Sequence, residues 1–170
     1  MKKLSILISL VALFSIASVT VQAQVTAAAS TSATIITPIA ISKSVDMSFG
    51  NVAVSSVAGT VVLASNSTRT KTGGVTLPLV GGTVTAAKFT VSGLAAATYS
   101  ISFDNASIVL TSGGNTMTVN AFTSNPTPTG TLTAGGTQDI LVGATLNVGA
   151  SQAAGLYTNA TDLKVTVNYN

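Results

Sequence analysis

The sequence predicts an all-β protein, a sandwich or barrel built from short strands. Apolar residues recur at every second position along most of the chain, which is the period of a half-buried strand. No stretch combines a helical period with capping residues. Turn-forming clusters separate the alternating runs: Gly-Gly at 73–74, 81–82, 113–114 and 135–136, and NPTPTG at 125–130. Short strands divided by frequent turns are typical of both architectures.

Six runs in the body of the chain alternate in this way, and we expect the apolar set of each to face inward. These sets are Val45, Met47 and Phe49; Phe89 and Val91; Tyr99, Ile101 and Phe103; Ile108 and Leu110; Met117, Val119 and Ala121; and Ile140, Val142, Ala144, Leu146 and Val148. A first strand is predicted from Ala33 to Ser42, with Ile35, Ile39 and Ile41 on one face. Pro38 within it suits an edge or a bulge, because proline has no N–H to give to a ladder.

The last eight residues form the most strand-like segment. Leu163, Val165, Val167 and Tyr169 share one face, and polar side chains occupy the other. An edge strand without a neighbour exposes unpaired backbone groups and apolar side chains, which favours aggregation unless something covers it. We therefore expect an acceptor edge that a partner strand covers; the alternative is an ordinary strand of a complete sandwich.

The N-terminal stretch is predicted to be a secretory signal peptide, residues 1–23. MKK supplies the positive start, residues 4–21 are largely apolar, and VQA ends in the small residues that a signal peptidase reads, which predicts cleavage between Ala23 and Gln24. The alternative is a retained membrane anchor, for which the run is short. We expect export through the inner membrane, to the periplasm, the cell surface or the medium.

Charge and cysteine content exclude several classes of protein. After the predicted cleavage, five basic residues face four aspartates and there is no glutamate, which leaves a net charge of +1. Nucleic-acid binding needs clustered Lys and Arg, so we expect no nucleic-acid partner. Because there is no cysteine, the core and the backbone ladders must hold the fold without disulfides.

The sequence also lacks the residues of most active sites. With no His and no Cys, it has no histidine triad, cysteine nucleophile or zinc site, and the four aspartates lie far apart along the chain. Lys43 between Ser42 and Ser44 is interpreted as a solvated strand end rather than a Ser–Lys pair. We therefore expect no enzyme, with no catalytic residue, metal ligand, cofactor-binding residue or cofactor, and a function that resides in surfaces and edges.

Three segments resemble a family of small secreted bacterial domains of unknown function, itself similar to spore-coat-like and archaic chaperone–usher pilins. They are ATIITPIAISKSVDMSFG, GGVTLPLVGGTVTAAKFTVSG and GLYTNATDLKVTVNY. Phe49-Gly50 and Gly155-x-Tyr157 are the best-marked positions, and the resemblance runs from about Ala33 to the C-terminus.

The resemblance implies an incomplete immunoglobulin-like β-sandwich over residues 33–170 that lacks its final strand. A periplasmic chaperone would fill the open groove first, and at an outer-membrane usher the N-terminal extension of the next subunit would replace it by β-strand donation. Residues 24–32 are then the candidate donor strand, with Val25, Ala27, Ala29 and Thr31 pointing inward. The candidate groove-edge residues are Leu163, Val165, Val167 and Tyr169.

Two features depart from archaic pilins. The cysteine pair common in those pilins is absent, and the donor side chains are small. Either the donor is weak, or it extends further along the chain to include Ile35.

These observations lead to a functional hypothesis with two alternatives. The hypothesis is a secreted structural subunit of a pilus-like or fimbria-like surface fibre, with a role in adhesion or biofilm. Its partners would be copies of itself or sister subunits, with a periplasmic chaperone and an outer-membrane usher. The first alternative is a self-contained secreted or surface β-sandwich binding domain. The second is a small outer-membrane β-barrel, which the scarcity of aromatic and charged residues disfavours.

Overall fold

In the computed structural model, which describes residues 23–170, the chain divides into two units, Met1–Thr34 and Ile35–Asn170. The described part of the first unit, residues 23–34, has no secondary structure, and its side chains are exposed. Residues 1–22 of the predicted signal peptide lie outside the described residues, whereas both residues of the predicted cleavage site, Ala23 and Gln24, lie within this exposed stretch. Nowhere in residues 23–170 does a helix have the length and apolarity needed to cross a membrane.

The second unit is all-β, and twelve strands account for its regular structure. They are β1 (Ala40–Val45), β2 (Ser48–Phe49), β3 (Gly59–Leu63), β4 (Arg69–Gly73), β5 (Val84–Thr85), β6 (Ala87–Ser92), β7 (Thr98–Phe103), β8 (Ser107–Ser112), β9 (Asn115–Asn125), β10 (Thr129–Thr131), β11 (Thr137–Val148) and β12 (Val165–Tyr169). Every pairing between them is antiparallel.

Strand β11 is the centre of a seven-stranded sheet. On one side it pairs with β9; on the other it pairs first with β6 and then with β3, which lie end to end along it. β1, β4 and β8 are the outer strands, on β6, β3 and β9 respectively. The five alternating apolar residues predicted to face inward along β11 are all buried, which confirms this prediction.

A three-stranded sheet, in the order β10-β7-β12, packs against the larger one to form a β-sandwich. Between them lies a core cluster that contains residues of both sheets, which we call the Tyr99 cluster. Its buried members are Ala87, Phe89, Val91, Tyr99, Leu132, Ile140, Val142, Val165 and Val167. A second cluster lies towards the other end of β11, and β2 and β5 form a small separate pair. Burying the apolar side chains of both clusters stabilises the fold by about 25 cal/mol per Å² of surface removed from water.

The turn predicted at Gly113-Gly114 is confirmed. These two residues join β8 to β9 as a two-residue hairpin loop, with φ of 51° and 86°. Positive φ at both central positions is what a type I′ turn requires, and glycine adopts it without steric cost.

Three strand predictions need correction. The first strand begins at Ala40 rather than Ala33, and Ile35 is 98% exposed instead of facing inward. Val45 is exposed because the pairing of β1 with β6 shifts register between Lys43 and Val45. Ala121 is exposed with φ of 50°, and the ladder between β9 and β11 is irregular beside it, so the inward face passes to Phe122. A bulge changes which residues face the core without changing the composition of the strand.

Candidate functional site: an apolar groove beside the C-terminal strand

Strand β12 has a ladder partner on one side only within the described part of the chain. It pairs with β7, and the backbone bonds from Asp104 N to Lys164 O and from Asn170 N to Thr98 O show that its even-numbered residues face β7. In an antiparallel ladder the intervening residues direct their N–H and C=O groups to the opposite side. The odd-numbered residues of β12 therefore present an unpaired backbone edge.

The four predicted groove-edge residues lie on one face of this segment, as the alternation suggests. Val165 and Val167 are buried in the Tyr99 cluster, and Leu163 and Tyr169 are half-buried against it. They are thus core residues whose backbone is exposed at the strand edge.

Tyr169 has an additional role that its apolar ring did not predict. Its hydroxyl accepts a hydrogen bond from Leu94 N at 2.6 Å and donates one to Thr37 O at 2.9 Å. The hydroxyl therefore ties the end of β12 to the segment that precedes β1.

A groove of about 920 Å³ lies between two chain segments, which we call wall one (43–54) and wall two (152–163). Leu163 is the only one of the four predicted groove-edge residues that lines it, so the role of the other three at an acceptor edge stays a prediction. The floor is apolar and belongs mainly to the second core cluster: Ile108, Leu110, Met117, Val119, Leu146 and Val148. Four of these six residues are buried, whereas Leu110 and Met117 are partly exposed.

Wall one is bonded along its outer edge. β2 pairs with β5, and Ala53 exchanges backbone hydrogen bonds with Thr76 at 2.8 and 2.9 Å. The Arg69 guanidinium supports the same wall by donating to the backbone oxygens of Phe49 and Asn51. The backbone groups of Val52 and Val54, on the groove side, have no backbone partner among residues 23–170.

Wall two is irregular but well anchored. Thr158 exchanges backbone bonds with Thr111 of β8 at 3.0 and 3.1 Å. The Gln152 side-chain amide donates to Thr116 O at 3.1 Å and to the Tyr157 hydroxyl at 2.8 Å. These bonds hold wall two against β8 and β9 without any strand hydrogen bonding on its groove side.

The end of wall two nearest β12 is held by Asn159. Its side-chain amide donates to Val109 O at 2.8 Å and to Asp162 Oδ2 at 2.7 Å. The donations from Asn159 and Thr161 lower the pKa of Asp162 below its usual value, so this carboxylate stays ionised at the rim.

One backbone contact joins the two walls. Ser151 N, beside wall two, donates to Ser55 O, beside wall one, at 2.8 Å. The charged residues that line the groove are Lys43 and Asp46, which form an ion pair with each other. The groove thus offers a largely apolar slot whose two charges are paired with each other, with unpaired backbone groups along wall one.

The described residues provide little for catalysis. Lys43 is paired with Asp46, while the hydroxyls of Ser42 and Ser44 bond to Thr90. Across residues 23–170 no three acidic side chains come together as a metal site would require.

The candidate donor strand is an exposed, irregular segment in the structure. Val25 is 92% exposed, and Ala27, Ala29 and Thr31 are exposed too. Residues 24–32 contain no strand, so their alternation remains a prediction about a bound state.

Sequence reasoning missed most of the groove. Wall two is a turn-rich connection, QAAGLYTNATDL, in which Leu156 and the final Leu163 are the large aliphatic residues among small and polar ones. The sequence signal that could have indicated it is an isolated leucine, Leu156, inside the Gly155-x-Tyr157 motif; the structure leaves this leucine 81% exposed.

Comparison with known proteins identifies a family and no function. The family model described as "Domain of unknown function (DUF4402)" matches residues 39–169, which include both walls, the floor and β12. No curated protein and no solved structure matches the chain significantly. Because the matched region covers most of its length, the chain belongs to the DUF4402 family.

Proposed function

We propose that this protein is a secreted, non-enzymatic structural subunit of a surface fibre, and that it polymerises by accepting a β-strand from a partner. The observation that carries the proposal is the groove, where an apolar floor lies between two walls with unpaired backbone groups on the groove side. A strand inserted there could pair with both walls and cover the core from solvent. This is β-augmentation, with the sandwich as an incomplete immunoglobulin-like acceptor.

The energetic case rests on what an empty groove costs. A donor that forms about eight backbone hydrogen bonds gains about 1 kcal/mol net from each. Covering the apolar side chains of the lining that are still exposed, chiefly Val54 and Leu156, adds about 25 cal/mol per Å² of surface removed from water. Without a donor, the unpaired backbone groups and the exposed apolar side chains of the lining, such as Val54 and Leu156, remain accessible to water and to other copies, which favours non-specific association.

Two outer strands of the large sheet, β4 and β8, are protected against edge-to-edge pairing, which supports this reading. Arg69 and Lys71 place positive charges on β4, and wall two covers part of β8 through Thr158. Charges and covering segments are the usual means of blocking edge-to-edge pairing. β12 carries no charged residue at all, which suits an edge that is meant to be paired.

The proposal includes partners and a location. The donor would be the leader of another copy or of a sister subunit, starting from the candidate residues 24–32. A periplasmic chaperone would occupy the groove before assembly, and an outer-membrane usher would exchange it for the donor. The assembled fibre would lie on the cell surface and serve adhesion or biofilm formation.

The test is electrophoresis of the exported protein with and without boiling, with electron microscopy of the same sample. We expect SDS-resistant multimers that collapse on heating, and thin fibres on the grid. A variant lacking residues 24–32 should stay monomeric, and a variant with a Gly-Ser segment of equal length in their place controls for spacing.

Two results would count against the proposal. A single monomer band with a cooperative melt would mean a self-contained sandwich, whose ligand should then be sought on its loops. Assembly of the deletion variant at the wild-type level would remove residues 24–32 from the donor role.

A further inference from the structure

We propose that Ile35 of a second copy anchors the donor strand by packing between Val54 of wall one and Leu156 of wall two. This inference rests on the proposed function and adds the register and direction of the donor. It starts from three strongly or partly exposed aliphatic side chains: Ile35 is 98% exposed, Leu156 81% and Val54 40%. Val54 and Leu156 line the groove from opposite walls.

The boundary between donor and domain lies at Thr37. Its carbonyl accepts the Tyr169 hydroxyl, and Ile39 and Ile41 pack against the Tyr99 cluster of the same chain. Ile35 takes no part in that core. Residues up to 36 can therefore insert into another subunit without disrupting the domain of their own chain.

The alternation of inward-facing residues in the candidate donor strand continues without a break to Ile35. The odd-numbered residues from 25 to 35 fall on one face of an extended strand: Val25, Ala27, Ala29, Thr31, Ala33 and Ile35. Small residues occupy the middle, where the groove floor already supplies bulk from Leu110, Met117 and Val119. At about 3.3 Å per residue, eleven extended residues span about 36 Å, the same count as the 153–163 stretch of wall two.

The direction follows from the position of Ile35 in its own chain. Ile35 stands two residues before Thr37, where the folded domain of its own chain begins. The domain of the donating subunit must therefore lie close to the point where Ile35 binds. We place that body at the Leu156 end, because Leu156 and Val54 are the most exposed aliphatic side chains of the lining, whereas Leu163, towards the other end, is half-buried. The donor then runs antiparallel to wall two and β12, which is the slightly more stable ladder.

Charge is consistent with this occupant. Residues 24–42 contain no charged side chain, and the two charges that line the groove are paired with each other. An inserted leader would therefore leave no buried charge without a partner.

Disulfide trapping tests the proposal directly, because the chain has no cysteine of its own. Ile35→Cys and Leu156→Cys are prepared as separate full-length proteins, mixed and oxidised during assembly. Because each copy carries one cysteine, a 35–156 bond can form only between copies, when the Cα atoms approach within about 7 Å. The matched control is Val62→Cys, whose exposed side chain lies on the outer face of β3, between the buried Val61 and Leu63.

We expect the 35–156 disulfide, identified by the mass of the linked peptides, to exceed the 35–62 product at least tenfold. If wild-type multimers form but the two yields are equal, the Ile35 anchor is wrong while strand donation stands. The same conclusion follows if Ala29→Cys, rather than Ile35→Cys, bonds to Leu156→Cys. If neither multimers nor the 35–156 bond forms, both proposals fail.

Discussion

Tyr169 shows how much one polar atom can add to a residue predicted only as apolar. Alternation placed its ring on the inward face, and the ring does pack against the Tyr99 cluster. The hydroxyl accepts a hydrogen bond from Leu94 N and donates one to Thr37 O, and so links three segments that are distant in sequence. A pattern of apolar positions carries no information about such a bond.

The contact between Gly93 and Tyr169 leads to a prediction at the scale of single residues. A Cβ on Gly93 would overlap the Tyr169 hydroxyl oxygen and lie 3.1 Å from Leu132 Cδ1. We expect Gly93→Ala to lower the free energy of unfolding by about 1–3 kcal/mol, as overpacking does. Tyr169→Phe should cost about 1 kcal/mol through its lost hydrogen bonds.

The double variant separates overlap from other causes. Because phenylalanine removes the overlapping oxygen, Gly93→Ala should cost less in the Tyr169→Phe background, with a coupling of about 1 kcal/mol. Urea titrations of the four proteins give this value. Strictly additive costs would show that the two residues do not compete for the same space.

At the scale of elements, strands whose alternation was clear were predictable. All five inward residues of β11 are buried, and so are Phe89 and Val91 of β6. β3 was missed because Val62 is apolar as well, which hides the alternation of Val61 and Leu63.

Elements without an apolar period, or with a break in it, were not predictable. β4, RTKTG, has no large apolar residue and is a strand only because β3 pairs with it. Pairing partners and bulges depend on tertiary structure. The outward orientation of Ala121 therefore could not be predicted from the sequence either. The same holds for wall two, which other strands keep in place.

The β8–β9 hairpin yields a prediction with a built-in control. Gly114 has φ of 86°, and a Cβ added there would meet no heavy atom within 4 Å, so Gly114→Ala changes backbone strain alone. We expect it to destabilise the protein by about 1 kcal/mol, or about 2–4 °C in Tm for a chain of this size.

Gly135 is the comparison for that experiment. Its φ is not positive, and the nearest neighbour of an added Cβ would be Thr133 Oγ1 at 3.6 Å, so Gly135→Ala should be close to neutral. Thermal melts of both variants test the difference. Equal losses would mean that the conformation of Gly114 does not control the hairpin.

At the scale of the whole molecule, the distinctive property is a core that is covered unevenly. The Tyr99 cluster lies between two sheets, whereas the second cluster forms the floor of the groove. The described chain has few charges to keep copies apart. Stability and assembly should therefore be linked through the same surface.

Filling the groove should then raise stability by mass action. A synthetic peptide of residues 24–36, added to monomeric protein at about 100 times its Kd, should add about 2.7 kcal/mol to the free energy of unfolding. The same peptide with Ile35→Asp should add much less, because it would bring an unpaired charge against Val54 and Leu156. Calorimetry with each peptide measures the gain in the free energy of unfolding. Equal gains with the two peptides would show that Ile35 is not an anchor.

The two walls also have a mechanical consequence. A donor bonded to both of them lies lengthwise in its slot, so tension along a fibre pulls on it parallel to its own axis. All the ladder hydrogen bonds are then loaded together in shear, instead of breaking one after another. A fibre built on this groove would resist flow and drag through geometry alone, without a covalent link between subunits.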